Sequence, residues 1–259
     1  MKVNSQNPEF GYELISTIPY CYYLHTIGML KETVSGIGSE LFYYFSPRHT
    51  INPEPRSWYN VEKMTTPNKW IHGPLDTSQF YPPPYKIIFG NRKYYFDLVI
   101  YNRYNNEWPG ERRLNRPLNF FSIELLTEIF DNFEGRILYC NIHGQKELYD
   151  DAPALDFPDR ELVEQYDNVT HIDDLEESYN LAQLMAFANC PLFLTTNGGG
   201  CILASYFGGK NIIYTNPQKI GNRVYPREDQ TNDFSYYHLF GGSEIVHVHT
   251  YEEIKKQLL

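Results

Sequence analysis

Residues 192–214 read LFLTTNGGGCILASYFGGKNIIY, and few folds accommodate such a stretch. Leu192, Phe193 and Leu194 form an apolar run with strand character, while Ile202, Leu203, Ala204, Tyr206 and Phe207 give a short apolar helix. A glycine triplet, Gly198, Gly199 and Gly200, separates the two, Gly208 and Gly209 end the helix, and Asn211, Ile212, Ile213 and Tyr214 open a second strand. Strand, glycine turn, helix, glycine stop and strand make one βαβ step of a parallel sheet. Glycines at such a turn let the backbone approach a ligand closely, and the helix start offers unpaired N–H groups and partial positive charge to an anion. Thr195, Thr196 and Asn197 add side-chain donors. The same turn also arises wherever a helix packs tightly on a strand, so the spacing leaves open a phosphate cradle and a packing device.

The rest of the chain extends this pattern. Residues 95–101, 136–141, 169–172 and 245–248 read as strands, and 121–133, 160–166, 178–189 and 251–259 as helices, with Ser122 the expected N-cap of the first. Strands alternating with helices from residue 95 onward spell a doubly wound α/β domain. Before it, residues 1–4 and 41–45 read as strands and 13–28 as a helix disturbed by Pro19 and stopped by Gly28. Residues 50–84 are an irregular connection with one short helix near 61–64, followed by a linker at 82–92 in which 86–89 read as a strand. The boundary between an N-terminal α/β domain, 1–85, and a Rossmann-like domain, 86–259, is placed there, with the C-terminal helix free to pack back on the first half. Because ligands of open α/β sheets sit off the carboxyl ends of strands, Glu13, Arg48 and His49 are expected to face one cleft.

Composition narrows the partners. With 259 residues, 42% hydrophobic and 21% charged, the chain can bury a sound core. A net charge of −10 argues against a dedicated nucleic-acid or anionic-membrane binder. Cys21, Cys140, Cys190 and Cys201 match no zinc or thioredoxin spacing, and Cys140 and Cys190 read as buried thiols of a reducing compartment. There is no signal-peptide pattern, and no apolar run approaches the roughly 18–20 residues that span a bilayer. A cytoplasmic protein is expected, of a bacterium, another cell or the host cytoplasm of a virus.

An α/β half with a cleft-facing first loop, a linker and a second half with a late glycine-rich turn resembles the two-domain GT-B glycosyltransferases. The resemblance lies in three places. Phe10, Gly11, Tyr12, Glu13 and Leu14 look like the first loop of fucosyltransferase-like members. The strand at 95–101 running into Asn102 and Arg103 is similar to the start of their donor half, where an arginine meets the diphosphate. Thr195, Thr196, Asn197, Gly198, Gly199 and Gly200 resemble their last diphosphate-binding turn. The chain has three glycines where serines are usual and one arginine where two adjacent ones are usual. The resemblance implies two small Rossmann-like domains facing each other across a cleft. The activity it implies is transfer of a hexosyl, deoxyhexosyl or pentosyl group from a nucleotide-sugar to a glycan acceptor, with no metal and no cofactor beyond that donor.

Such chemistry needs a base for the acceptor hydroxyl and cationic or hydrogen-bonding groups for the departing diphosphate. Arg103 and the 195–200 turn are the candidates for the second task, Arg103 having a surface pair with Glu107 as its plain alternative. Glu13 is the first candidate base, His49 and Glu54 the next. A carboxylate near a helix start is also a routine stabilising feature. His143, Asp156, Phe157 and Asp173, in loops after the second and third strands of the second half, are candidates for ribose and base recognition, solvated loop acids being the alternative. His25 reads as structural, and His247 with His249 lacks a third metal ligand. Two rivals stand beside the transferase: a cysteine hydrolase or amidotransferase using Cys201 after the glycines, and a nucleotide- or sugar-binding module without turnover.

Overall fold

The computed structural model describes residues 1–68, 75–90, 93–106, 109–141, 155–216, 218–220, 223–225 and 233–259. Two parallel sheets carry these residues. In the smaller, β1 (Lys2–Asn4), β2 (Glu32–Gly36) and β3 (His49–Asn52) pair in that order. Between β1 and β2 the chain coils through three consecutive helical segments, Phe10–Tyr12, Glu13–Thr17 and Ile18–Thr26, together α1. The middle segment is wound more widely, as a π-helix. Pro19 lies just after it, and the wide turn gives room for a proline ring that would otherwise press on the carbonyl four residues back. Gly28 stops the helix at φ +71°, with Met29 N–H donating to Leu24 O at 2.8 Å and Gly28 N–H to His25 O at 3.0 Å, the paired bonds of a glycine C-cap.

The larger sheet contains β4 (Leu98–Asn102), β5 (Ile137–Asn141), β6 (Val169–His171), β7 (Leu192–Thr196), β8 (Lys210–Tyr214) and a last strand, Glu244–Val248. A small antiparallel pair, β9 (Gln218–Ile220) and β10 (Arg223–Tyr225), precedes that last strand, which is therefore β11. The order across the sheet is β11-β8-β7-β4-β5-β6, every pairing parallel. Numbered by appearance within this half, that is 6-5-4-1-2-3, the doubly wound Rossmann order.

Helices cover both faces, which is why the strands read as nearly unbroken apolar runs. Leu98, Ile100, Ile137, Tyr139, Leu194 and Ile212 point to one face and pack under Leu125, Leu126 and Ile129 of a helix at Ile123–Asn132, and under Ile254 of the C-terminal helix Tyr251–Leu258. Ser122 caps the first of these, its Oγ accepting from Leu125 N–H at 3.3 Å. Thr250 and Glu253 form a capping box that turns the chain out of β11, and the helix it starts settles on Ile123–Asn132 and β8. On the other face Val99, Tyr101, Leu138, Cys140, Phe193 and Ile213 join Ala182, Leu184 and Phe187 of a helix at Tyr179–Ala188, and Ile202 and Leu203 of a helix at Gly199–Ser205. That same apolar cluster runs on without a break into Val3, Phe10, Leu14, Ile15 and Phe42 of the first half.

Two sequence readings are corrected. Residues 41–45 are not a strand; Glu40–Tyr43 is a tight 3-10 turn. Burial decides it: Phe42, Tyr43 and Phe45 are buried while Tyr44 is exposed, and Phe42 packs on Phe10 at 4.8 Å between ring centroids. The strand here is Glu32–Gly36, and the hydroxyls of its buried Thr33 and Ser35 are satisfied by Ser46, Ser39 and His49. Residues 86–89 belong to a helix, Tyr85–Phe89, begun by the prolines before it and anchored by Tyr85 Oη donating to Phe42 O at 2.7 Å. In chain order the helices after α1 are α2 (Tyr85–Phe89), α3 (Pro109–Leu114), α4 (Ile123–Asn132), α5 (Asp159–Val163), α6 (Tyr179–Ala188), α7 (Gly199–Ser205), α8 (His238–Gly241) and α9 (Tyr251–Leu258).

Candidate functional site

β4 and β7 lie side by side, Tyr101 opposite Thr195, yet the chain spreads from β4 through β5 and β6 and from β7 through β8 and β11. Strand order reverses between them, and that switch point is where an open α/β sheet is expected to have its ligand crevice. Arg103 leads the loop after β4, and Asn197 with the glycine triplet leads the loop after β7.

The two loops are tied together. Arg103 N–H donates to Thr196 Oγ1 at 3.1 Å, and a Cβ built on Gly198 would stand 3.6 Å from Arg103 Cδ. Arg103 Nη2 donates to both carboxylate oxygens of Glu111, at 3.0 and 3.1 Å. The acidic partner expected from the sequence, Glu107, lies outside the described residues. Glu111 is fully buried on α3, and its Oε1 also accepts from the N–H groups of Leu118 at 3.1 Å and Asn119 at 3.3 Å. Asn119 in turn accepts from Asn216 N–H at 2.9 Å and donates to Asn197 O at 3.5 Å. The loops after β4, β7 and β8 are thus stitched across the crevice by Glu111 and Asn119. Neither residue stands out in the sequence: Glu111 precedes Arg112 and Arg113 on a short polar helix and reads as surface.

The turn itself divides its residues between tasks. Thr195 Oγ1 donates to Asn211 Oδ1 at 2.9 Å, and Asn211 Nδ2 holds Cys201 O at 2.9 Å, so this threonine is buried as a brace for α7. Thr196 Oγ1, also buried, accepts from Arg103 and donates toward Tyr101 O. Neither hydroxyl faces the crevice. Asn197, Gly198 and Gly199 are half-buried, whereas Gly200 is enclosed against the Tyr101 ring. Gly199 meets Gly11 of α1: the Cβ position on Gly199 is 3.7 Å from Gly11 N. Cys201 is buried, its thiol donates to Gly198 O at 3.0 Å, and burial pushes its pKa up to about 12. Burial and this bond favour the protonated thiol, which counts against the nucleophile that the hydrolase reading requires.

The candidate bases are placed elsewhere. Glu13 is fully buried with Oε1 3.1 Å from Arg56 Nη1. Arg56 is itself buried against Gly36, donates to Pro8 O at 3.2 Å and lies 5.4 Å from the Phe10 ring centre. Glu13 is the counter-ion of an interior arginine, closed off from an acceptor hydroxyl. His49 Nδ1 is 2.8 Å from Thr33 Oγ1 and Nε2 is 3.1 Å from Ser35 Oγ, and burial lowers its pKa. Arg48 and Glu54 are exposed, so the common cleft expected for Glu13, Arg48 and His49 does not form.

Of the nucleoside candidates, His143 lies outside the described residues. Phe157 is buried and stacked on Tyr104 at 4.5 Å, its ring already occupied as core. Asp156 is exposed, and Asp173 is exposed beside His171, with Oδ2 3.6 Å from Nδ1. His25 is exposed and stacks on Tyr22 at 5.7 Å. The four cysteines are free and buried. Among the described residues no group of three or more His, Cys, Asp or Glu is placed to hold a metal ion, and no helix is long and apolar enough to cross a membrane.

The sheet order defines a Rossmann-type α/β protein whose switch point lies between β4 and β7. No protein-family profile matches the sequence, and no curated protein matches it significantly. Among solved structures, the chain is similar to the crystal structure of a family 9 glycosyl transferase from Veillonella parvula DSM 2008, at 12% identity and a TM-score of 0.36. That match covers 88% of this chain and 59% of the other, so this chain spans less than two thirds of the length of the protein it matches.

Proposed function

We propose that this protein is a glycosyltransferase that takes a nucleotide-sugar and passes the sugar to a glycan hydroxyl, gripping the donor diphosphate between β4 and β7. One observation carries the reading. Strand order reverses at the point where the only two features read from the sequence as diphosphate ligands, Arg103 and the glycine turn, stand side by side. In the proposed reaction the acceptor hydroxyl loses its proton to solvent as its oxygen bonds to the anomeric carbon, the bond from that carbon to the β-phosphate oxygen breaks, and the nucleoside diphosphate leaves with the electron pair. Arg103 and the half-buried backbone of residues 197–199 supply the donors that stabilise the departing charge, with no metal required of them. The threonine hydroxyls are left out of this role because they are bonded inside the fold. Ribose and base contacts fall to the loop after β5 and to Asp156 and Asp173.

A second reading, a nucleotide- or sugar-binding module without turnover, is favoured by one finding: Glu13 and His49, the first two of the three candidate bases, are both engaged by other groups. Melting-point measurement with UDP, GDP, CMP, dTDP and ADP tests the shared part. A ligand that binds only the folded state at a hundred times its Kd adds about 2.7 kcal/mol of stability, so one nucleotide is expected to raise Tm by several degrees. No shift with any of the five would sink the transferase and the nucleotide-binding form of the second reading. Release of free sugar from the matching donor separates the transferase from the binding module.

A further inference from the structure

We infer that Glu111 is the positioning residue of this crevice, fixing Arg103 in the pose from which it meets a diphosphate. The inference rests on the donor-site reading above. An arginine side chain has many rotamers, and holding one of them for a ligand costs entropy unless a partner has already fixed it. Glu111 supplies that partner. Both its oxygens take Arg103 Nη2, at 3.0 and 3.1 Å, while the arginine stem runs past Gly198. The guanidinium is therefore held at its far end by Glu111 and along its stem by the turn.

The same carboxylate also sets the distance to the turn. Its Oε1 accepts from Leu118 and Asn119 N–H, and Asn119 bonds Asn197 O and Asn216 N–H. One buried carboxylate thus fixes both Arg103 and the loop that clasps the first residue of the turn. On α3 the neighbours Arg112 and Arg113 are exposed while Glu111 is fully buried, so the acid was drawn inward by its partners. A carboxylate is retained in such a place only when charge and hydrogen bonds offset its lost hydration, which these four contacts do.

Calorimetric titration tests this with wild type, Glu111→Gln, Arg103→Ala and the double variant. Each is titrated with the nucleoside diphosphate that raises Tm and with the corresponding nucleoside. Glu111→Gln is expected to weaken the diphosphate about tenfold, the size of one charge-assisted hydrogen bond, and to leave the nucleoside unchanged. In the Arg103→Ala background it should add no further loss. Unchanged or tighter diphosphate binding by Glu111→Gln overturns the inference, as does equal weakening of diphosphate and nucleoside, or an equal loss without Arg103. Should Glu111→Gln fail to fold, Glu111→Asp keeps the charge but shortens the reach, and undiminished diphosphate binding there overturns it equally. If Arg103→Ala binds the diphosphate like wild type, the donor-site reading fails as well; if only the Glu111 variants do, that reading stands.

Discussion

Three consecutive glycines do three different things. Gly198 takes φ +147°, a conformation that side chains rarely adopt, and so turns the chain from β7 into α7. Gly199 lies against Gly11, where α1 crosses the turn. Gly200 lets the Tyr101 ring lie on the backbone: a Cβ there would stand 2.2 Å from it. Tyr101 is buried in β4 and has little room to retreat. Gly200→Ala is therefore expected to cost ~1–3 kcal/mol by overpacking. Urea unfolding should show a lower midpoint at an unchanged slope, and an unchanged midpoint would mean that the ring moves aside freely. The glycine run was legible in the sequence as a strand-to-helix turn, because glycine punctuation is local. Which glycine serves the backbone, which a neighbouring helix and which a strand residue was not, because the partners Gly11 and Tyr101 are 188 and 99 residues away by subtraction from Gly199 and Gly200.

Elements in the first half are held by polar interiors more than their sequences suggest. β2 and β3 meet over a chain of hydroxyls in which His49 bridges Thr33 and Ser35 while its ring stacks on Tyr43 at 5.2 Å. Burial favours the neutral imidazole, and the charges of Glu40 and Glu13 oppose it only in part, so the folded pKa lies below the ordinary value of 6.5. The stability this gives is present above pH 6.5 and is lost as pH falls through the folded pKa, because the unfolded chain takes the proton first. For one such group the slope is at most about 1.4 kcal/mol per pH unit, and the partial exposure of the ring keeps the realised value lower. Urea midpoints measured from pH 7.5 down to about 5 should fall in the wild type and fall less in His49→Asn. Equal slopes would show that the ring is not buried neutral. This half was the less legible one. β2 carries threonine and serine where an apolar alternation would mark a strand, and 41–45 carries the aromatic run that strands favour. In each case long-range burial overrode local preference: the hydroxyls found partners inside, and the aromatics folded over α1.

At the scale of the whole molecule most strands of the larger sheet were readable, since most are followed by a covering helix and the apolar pattern repeats locally, whereas the β9–β10 pair and α3 were not. How the two sheets meet was not readable, because that contact joins residues far apart in sequence. Phe10, Leu14 and Ile15 of α1 lie in one apolar cluster with Ile202, Leu203, Tyr206 and Phe207, and Tyr206 Oη donates to Leu14 O. Asn180 at the start of α6 donates to Gly38 O at 2.6 Å, and Tyr85 reaches Phe42 from the connecting segment. A face so shared would be left bare if residues 1–85 were removed, and a bare apolar face of that kind drives association. Heating the intact chain should therefore give one transition, with calorimetric and van't Hoff enthalpies equal, as for a single cooperative unit. The fragment 86–259, expressed alone, should aggregate or lack near-ultraviolet circular dichroism despite holding the entire larger sheet. Two resolved transitions, or a fragment with native near-ultraviolet signal, would make the halves independent domains that swing about their linker, and the contact of Gly11 with Gly199 would then be one state of a cleft that opens.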